Sequence, residues 1–106
     1  MADVAKLMYE NQPTATTATL YTAPAAGAIV RAIHAANTNA AAKTLTIGLN
    51  ASATMLAAEH FLSAISIPGN STYDWSGFQV LGASARIGGF QETATAITVT
   101  ISGVEL

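Results

Sequence analysis

The sequence predicts an all-β protein, a single antiparallel β-sandwich of jelly-roll or immunoglobulin-like type with about seven to eight strands. Polar or small residues alternate with Leu, Ile or Val along residues 44–49 and 96–104, which is the two-residue period of a half-buried strand. Turn-forming residues recur between such segments, and neither a fixed repeat nor a linker divides the 106 residues. Short strands with frequent turns in one domain-sized chain are typical of two packed sheets.

The first strands are predicted around two turns. Pro24 presets the φ angle of a turn, and Gly27 can take the positive φ that closes it. Residues 28–36 then run without a breaking residue, long enough to cross a domain. Asn37 ends this strand, because its side chain can bond its own backbone. The alternating strand at residues 44–49 follows.

The later segments are less regular. Residues 53–62 have helical composition with Ser52 as a cap, although a strand over the edge of the core fits almost as well. Turn chemistry predicts a break at residues 68–71. Two short strands follow, separated by a bulge at Ser76 and Gly77.

The alternation also predicts the core. Alanine contributes little burial energy, so larger apolar side chains must stabilise the fold. We expect burial of Ile33, Leu45, Ile47, Leu49, Ile65, Ile67, Val80, Ile97, Val99 and Ile101. The intervening threonines should face solvent or a neighbouring chain: Thr44, Thr46, Thr98 and Thr100.

Residues 1–13 are predicted to form an N-terminal arm that precedes a sandwich domain of residues 14–106. Val4, Leu7 and Met8 have helical spacing. The arm is interpreted either as a helical turn docked on its own domain or as an extension lying on a neighbouring subunit. The second interpretation gives five candidate partner contacts: Met1, Val4, Leu7, Met8 and Tyr9.

Composition indicates association with other proteins. Apolar residues make up 51% of the chain and charged residues 9%, whereas about 25% charged is typical. The formal net charge is −2 and the four basic residues are scattered, which gives no electrostatic footprint for nucleic acid. We therefore expect a surface covered by partners, including further copies of the chain.

Targeting signals and cysteines are missing from the sequence. With no cysteine, neither a disulfide framework nor a cysteine-ligated metal is expected. The first residues lack the apolar core of a signal peptide, and no run reaches the roughly 18 apolar residues of a membrane span. These features predict synthesis in the cytoplasm and no membrane partner.

Residues able to carry out chemistry are few. His34 and His60 have no metal-ligand spacing with a carboxylate, and no serine lies in a nucleophile motif. We predict no catalytic residue, metal site or cofactor, and no enzymatic activity. Tyr73 and Trp75 share one face of a strand; they are interpreted as core residues or, alternatively, as an aromatic platform for a glycan.

Three segments carry a family resemblance: residues 20–49, 65–87 and 97–106. Their entry turn at Pro24, the long strand ending at Asn37 and the turn at residues 68–72 resemble small virion proteins of tailed bacteriophages. The resemblance extends over residues 17–106 and assigns no functional residue.

The resemblance implies a non-enzymatic component of the virion, assembled from protein made in the host cytoplasm. The first expectation is a capsid decoration (cement) protein that binds the major capsid protein on the outer head shell, as a homo-oligomer and most simply a trimer. A tail or neck component is one alternative, and a receptor- or glycan-binding module is another.

Overall fold

The computed structural model describes residues 3–51, 55 and 57–106, with Ala57 described by its backbone alone. In these ranges the chain forms eight β-strands and one turn of 3-10 helix. Their order is β1 Val4–Asn11, β2 Ala18–Thr22, β3 Ala28–Asn37, β4 Lys43–Ala51, the 3-10 turn Ala57–Glu59, β5 His60–Ile67, β6 Ser71–Leu81, β7 Arg86–Gln91 and β8 Ile97–Glu105.

The strands form two four-stranded sheets, sheet I with the order β1-β8-β3-β6 and sheet II with the order β2-β7-β4-β5. The antiparallel pairs β1–β8, β2–β7, β3–β6 and β4–β5 make one long folded hairpin. The hairpin is rolled up so that β3 also pairs with β8, and β4 with β7. This is jelly-roll connectivity. The predicted all-β sandwich is confirmed, with the first of its two predicted connectivities.

The core lies between the two sheets and contains most of the residues predicted for it. Eight of them are buried: Ile33, Leu45, Ile47, Leu49, Ile67, Ile97, Val99 and Ile101. Ile65 is half-buried and packs against this cluster. Thr44, Thr98 and Thr100 are half-buried on the outer faces of their sheets.

The predicted burial of Val80 is wrong, because its side chain is 54% exposed. The β3–β6 register shifts between Val30 and Ala32, where β6 contains one residue more than β3. This bulge lies at Gly77 and Phe78, opposite Arg31, so it overlaps the predicted position only at Gly77, and Ser71–Leu81 remains one continuous strand where two were predicted. Alternation along β6 continues across the bulge: Trp75 lies opposite the buried Ile33 and Leu81 is buried, so Val80 faces outward.

The predicted exposure of Thr46 is also wrong, since the residue is 3% exposed. Its Oγ1 accepts a hydrogen bond from the backbone N–H of Ala64 at 3.0 Å. Ala64 has a φ of 46° and lies where the β4–β5 register shifts. The irregular part of β5 therefore turns a backbone donor toward Thr46.

The helical interpretation of the N-terminal segment is wrong. Val4–Asn11 is an edge strand that pairs with β8. The register shifts between Leu7 and Tyr9, so Met8 points inward and is buried while Leu7 stays outward. The spacing of Val4, Leu7 and Met8 therefore resembles that of a helical turn, although these residues belong to a strand with a register shift.

The helical interpretation of residues 53–62 is tested in part. Ser52 and residues 53, 54 and 56 lie outside the described residues. Beyond them the chain forms the short turn Ala57–Glu59 and then enters β5. The alternative interpretation, a strand, is correct from His60 onward.

Both predicted turns of the first strands are confirmed. Gly27 has a φ of 89° and donates its N–H to the carbonyl of Pro24 at 2.9 Å. The Oδ1 of Asn37 accepts the N–H of Asn39 at 2.9 Å. The Nδ2 of the same buried side chain donates to the carbonyl of Ile67 at 2.9 Å, so Asn37 also ties β3 to the end of β5.

The outer face of sheet II is partly covered by the chain itself. Gly48 and Gly88 pair across β4 and β7. The buried side chain of Met55 lies on them: a Cβ added to Gly48 would meet its Sδ at 2.5 Å, and one added to Gly88 would meet it at 3.1 Å. The two glycines therefore leave the space that this methionine fills.

Tyr21 and Glu105 connect the two sheets at one end of the sandwich. Tyr21 belongs to β2 and Glu105 to β8, and the buried phenol donates a hydrogen bond to the Glu105 carboxylate. Burial, and then the hydrogen bond and charge of Glu105, raise the pKa of Tyr21. The folded state therefore favours the neutral phenol.

We expect Tyr21→Phe to lower the free energy of unfolding at pH 7 by about 1–2 kcal/mol, because Glu105 loses its donor. The stability from the raised pKa is fully present below about pH 10, the ordinary pKa of tyrosine, and is lost as the pH rises beyond it. Chemical denaturation at pH 7 and above pH 10 measures both effects. Glu105→Gln is the matched control, since it keeps an acceptor and should be less destabilising. Equal stability of Tyr21→Phe and the parent chain at pH 7 would contradict the expectation.

Candidate interaction surfaces

The outer surface of sheet I, here called the open face, carries a row of apolar side chains across all four strands. Cross-strand partners share a face of a sheet. The register places Val80 beside Ile29, Ile29 beside Val104, and Val104 beside Ala5. Val80 and Ala5 are exposed, whereas Ile29 and Val104 are half-buried. The row is therefore an apolar strip at one end of the face.

Most of the remaining open face is made of small and hydroxyl side chains. In the rows that follow the apolar row along the strands, the small and hydroxyl side chains that face outward are Ser102, Ala32, Ser76, Thr100, Ala36, Thr98 and Thr72. Thr98 and Thr100 thus lie on the outer surface, as the alternation predicted. Short side chains on adjacent strands make a low-relief surface that another protein can approach closely.

Charges on the open face are partly compensated within it. The Nδ1 of His34 contacts Asp74, its cross-strand partner. The two side chains are 49% and 65% exposed, and an exposed pair of this kind contributes about 1 kcal/mol or less. The Nε of Arg31 donates to the carbonyl of Gly77 at 3.0 Å, at the bulge.

A shallow open depression of about 390 Å³ interrupts the open face near the apolar row. It is lined by Ala5, Lys6, Leu7, Arg31, Ser102 and Gly103. Lys6 and Arg31 give the depression a basic lining, while the alanine and leucine make part of it apolar.

The structure separates the two histidines. The Nδ1 of His60 lies 3.1 Å from the Oγ of Ser63 on β5, in sheet II, whereas His34 belongs to sheet I. Among the described residues, no group of three or more His, Cys, Asp and Glu side chains is arranged to hold a metal ion. No helix in the described ranges is long and apolar enough to span a membrane.

The five candidate partner contacts of the N-terminal segment differ in accessibility. Val4 and Leu7 are 57% and 55% exposed. Met8 is buried and Tyr9 packs partly against the core, where burial raises its pKa. Met1 lies outside the described residues. Contact of Val4 and Leu7 with another chain stays a prediction, and both side chains are accessible for it.

Tyr73 and Trp75 point inward from β6, beside the buried Ala35 and Ile33. Both are half-buried and pack against the core, and the ring of Trp75 meets that of Phe61 edge-on, with centroids 4.9 Å apart. This packing agrees with the interpretation as core residues. The glycan platform stays a prediction.

Comparison of the chain with protein-family models, with curated proteins and with solved structures finds no significant match.

Proposed function

We propose that the chain is a non-enzymatic structural protein of a tailed-phage virion, a capsid decoration protein that binds the major capsid protein on the outer head shell. It acts there as a homo-oligomer, most simply a trimer. The observation that supports this proposal best is the open face, a low-relief, mostly uncharged surface with an apolar row. Such a surface fits a permanent protein partner better than a soluble small ligand.

The two sheets differ in a way that favours one docking surface. Sheet II carries the buried Met55 on Gly48 and Gly88, so part of its outer surface is already covered. Sheet I has no comparable cover among the described residues, and its outer surface is the open face. We therefore propose that the open face contacts the shell.

A physical reason for such a protein lies in the load on a filled capsid. A packaged genome strains the contacts between shell subunits, and a small rigid sandwich that bridges them adds buried interface area. Anything that binds only the assembled state shifts the equilibrium toward assembly.

Two alternatives remain proposals of lower rank. A tail or neck component would use the same open face against a different partner, so location in the particle distinguishes it. A glycan-binding module would need an accessible aromatic ring, whereas Tyr73 and Trp75 pack partly against the core.

A salt wash of decorated heads tests the nature of the contact. Because the open face is mostly apolar or hydroxyl-bearing, we expect the protein to remain on the heads up to roughly molar salt, where charge attraction is screened within about 3 Å. Sedimentation of the heads followed by electrophoresis measures retention. Release in moderate salt would contradict docking through this face, and failure to bind heads at any salt concentration would refute the proposed function.

A charged substitution on the open face provides the specific variant for the same assay. Ala36→Glu places a carboxylate between Thr98 and Thr72, at the end of the low-relief surface that is farthest from the apolar row. It should reduce retention on heads at least tenfold, because the carboxylate would be desolvated. Ser66→Glu, at an exposed position on the outer face of sheet II, is the matched control and should leave retention unchanged.

A further inference from the structure

The edge strand β6 has few of the features that usually protect a sheet edge. It is the longest strand among the described residues, with 11 residues, and contains neither lysine nor proline. Phe78 and Val80 are 60% and 54% exposed on it. Its bulge and the exposed Asp74 are protective features of the kinds that natural edges use. A long apolar edge of this kind is suited to pairing with another strand.

The opposite edge of the same sheet, β1, also exposes apolar side chains, although it contains Lys6, Glu10 and a register shift of its own. It exposes Val4 and Leu7. Adjacent strands of sheet I alternate in direction, so β1 and β6 run in opposite directions. If β1 of a second copy lies beside β6 of the first, the antiparallel order of the sheet continues across the contact.

Each edge belongs to a full side of the sandwich. β6 lies next to β5, as the Phe61–Trp75 contact shows, and β1 lies next to β2. The molecule measures 45 × 25 × 18 Å, and strands of this length run along the longest dimension. A side 45 Å long and 18 Å thick presents roughly 800 Å², which is about what each partner contributes to a stable interface.

We infer that copies of this chain associate head to tail, with the β5/β6 side of one copy packed against the β1/β2 side of the next. This inference rests on the homo-oligomer included in the proposed function and specifies how it is built. Pairing of two β6 edges would leave Val4 and Leu7 uncovered, whereas head-to-tail contact covers both apolar sides. Such a heterologous contact forms a ring when its rotation closes.

Cross-linking between engineered cysteines tests the arrangement, because the natural chain contains no cysteine. Ala5→Cys and Ser76→Cys place single thiols at exposed positions on β1 and β6 without removing the exposed apolar side chains. A short bismaleimide joins them when two copies meet head to tail. Ala94→Cys, in the exposed turn before β8 and at the opposite end of β1 from Ala5, is the matched control.

The expected result is a covalent dimer from a mixture of the Ala5→Cys and Ser76→Cys chains, at least tenfold more than from either chain alone or with Ala94→Cys. Strong cross-linking of Ser76→Cys or Ala5→Cys alone would show a symmetric contact and overturn the inference. A mixture that does not exceed the Ala94→Cys control would overturn it as well. Light scattering of the parent chain should give a closed oligomer, and a monomer at the same concentration would also contradict it.

The cross-linking test and the test of head binding can fail independently of each other. Head-to-tail oligomers that fail to sediment with heads would refute the decoration role and support this arrangement. Chains that bind heads without β1–β6 cross-links would refute the arrangement alone.

Discussion

Replacing Gln91 by leucine is expected to lower the free energy of unfolding by about 3–5 kcal/mol. The side chain is fully buried, and its Oε1 accepts the N–H of Ile97 at 2.7 Å. Its Nε2 donates to the carbonyls of Pro13 at 2.8 Å and Ile97 at 3.0 Å. Leucine is similar in size but cannot form hydrogen bonds, so these buried backbone groups lose their partner. Each unsatisfied group costs about 1–3 kcal/mol.

Denaturant titration of Gln91→Leu measures the loss, and Gln79→Leu is its matched control. Gln79 is exposed on β6, so the same substitution there should change the stability by less than about 0.5 kcal/mol. Similar midpoints for the two variants would show that the bonds of Gln91 contribute little.

Gly103→Ala should destabilise the protein by about 3–4 kcal/mol, although it adds one methyl group. A Cβ at this position would overlap the backbone carbonyl oxygen of Ile29 and lie 2.8 Å from the Cε of Met8. The methionine can move, but the carbonyl belongs to β3 beside the β3–β8 register shift. The two strands must therefore separate, with strain in the centre of sheet I.

Thermal unfolding of Gly103→Ala tests this expectation against Gly82→Ala. A Cβ on Gly82 would meet only the Oδ1 of Asn50, at 3.8 Å, and Gly82 has no positive φ. The control should be neutral or slightly stabilised, because alanine restricts the unfolded chain. If Gly103→Ala had the same melting temperature as the parent chain, β3 and β8 could separate at this point at little energetic cost.

The sequence predicted the structure correctly in two kinds of place. In one, the two faces of a strand differ in polarity; in the other, a turn contains residues that favour its backbone conformation. The alternation in β4 and β8 correctly predicted the burial of Leu45, Ile47 and Val99. The turn chemistry of Gly27 and Asn37 is local, so it is visible without knowing what lies opposite. These elements were enough to predict a sandwich of about eight strands.

Sequence reasoning failed where the cause lies on another strand. Val80 faces outward because the register shift is taken up within β3, whose Val30 and Ile33 are both buried although three residues apart, while β6 keeps its alternation. Thr46 is buried because Ala64, on a different strand, supplies a donor. Met8 turns inward because β1 shifts its register on β8.

The open face was predictable only in part. The outward position of Thr98 and Thr100 follows from the alternation of β8. The apolar row does not, since Val80, Ile29 and Val104 come from three strands and meet only through their register. The packing of the Met55 side chain on Gly48 and Gly88 likewise depends on the pairing of β4 with β7.

The rolled hairpin also constrains how the protein folds as it is made. Val4 pairs with Glu105, so β1 has no partner in its sheet until β8 has been synthesised. At about 5–20 residues per second, that delay is on the order of ten seconds for this chain. During it, β4 can pair with β5, β3 with β6 and β2 with β7, while β1 remains exposed to other nascent chains. Sheet I is therefore complete only after β8 is synthesised, and slower synthesis lengthens the aggregation-prone interval without producing an earlier native state.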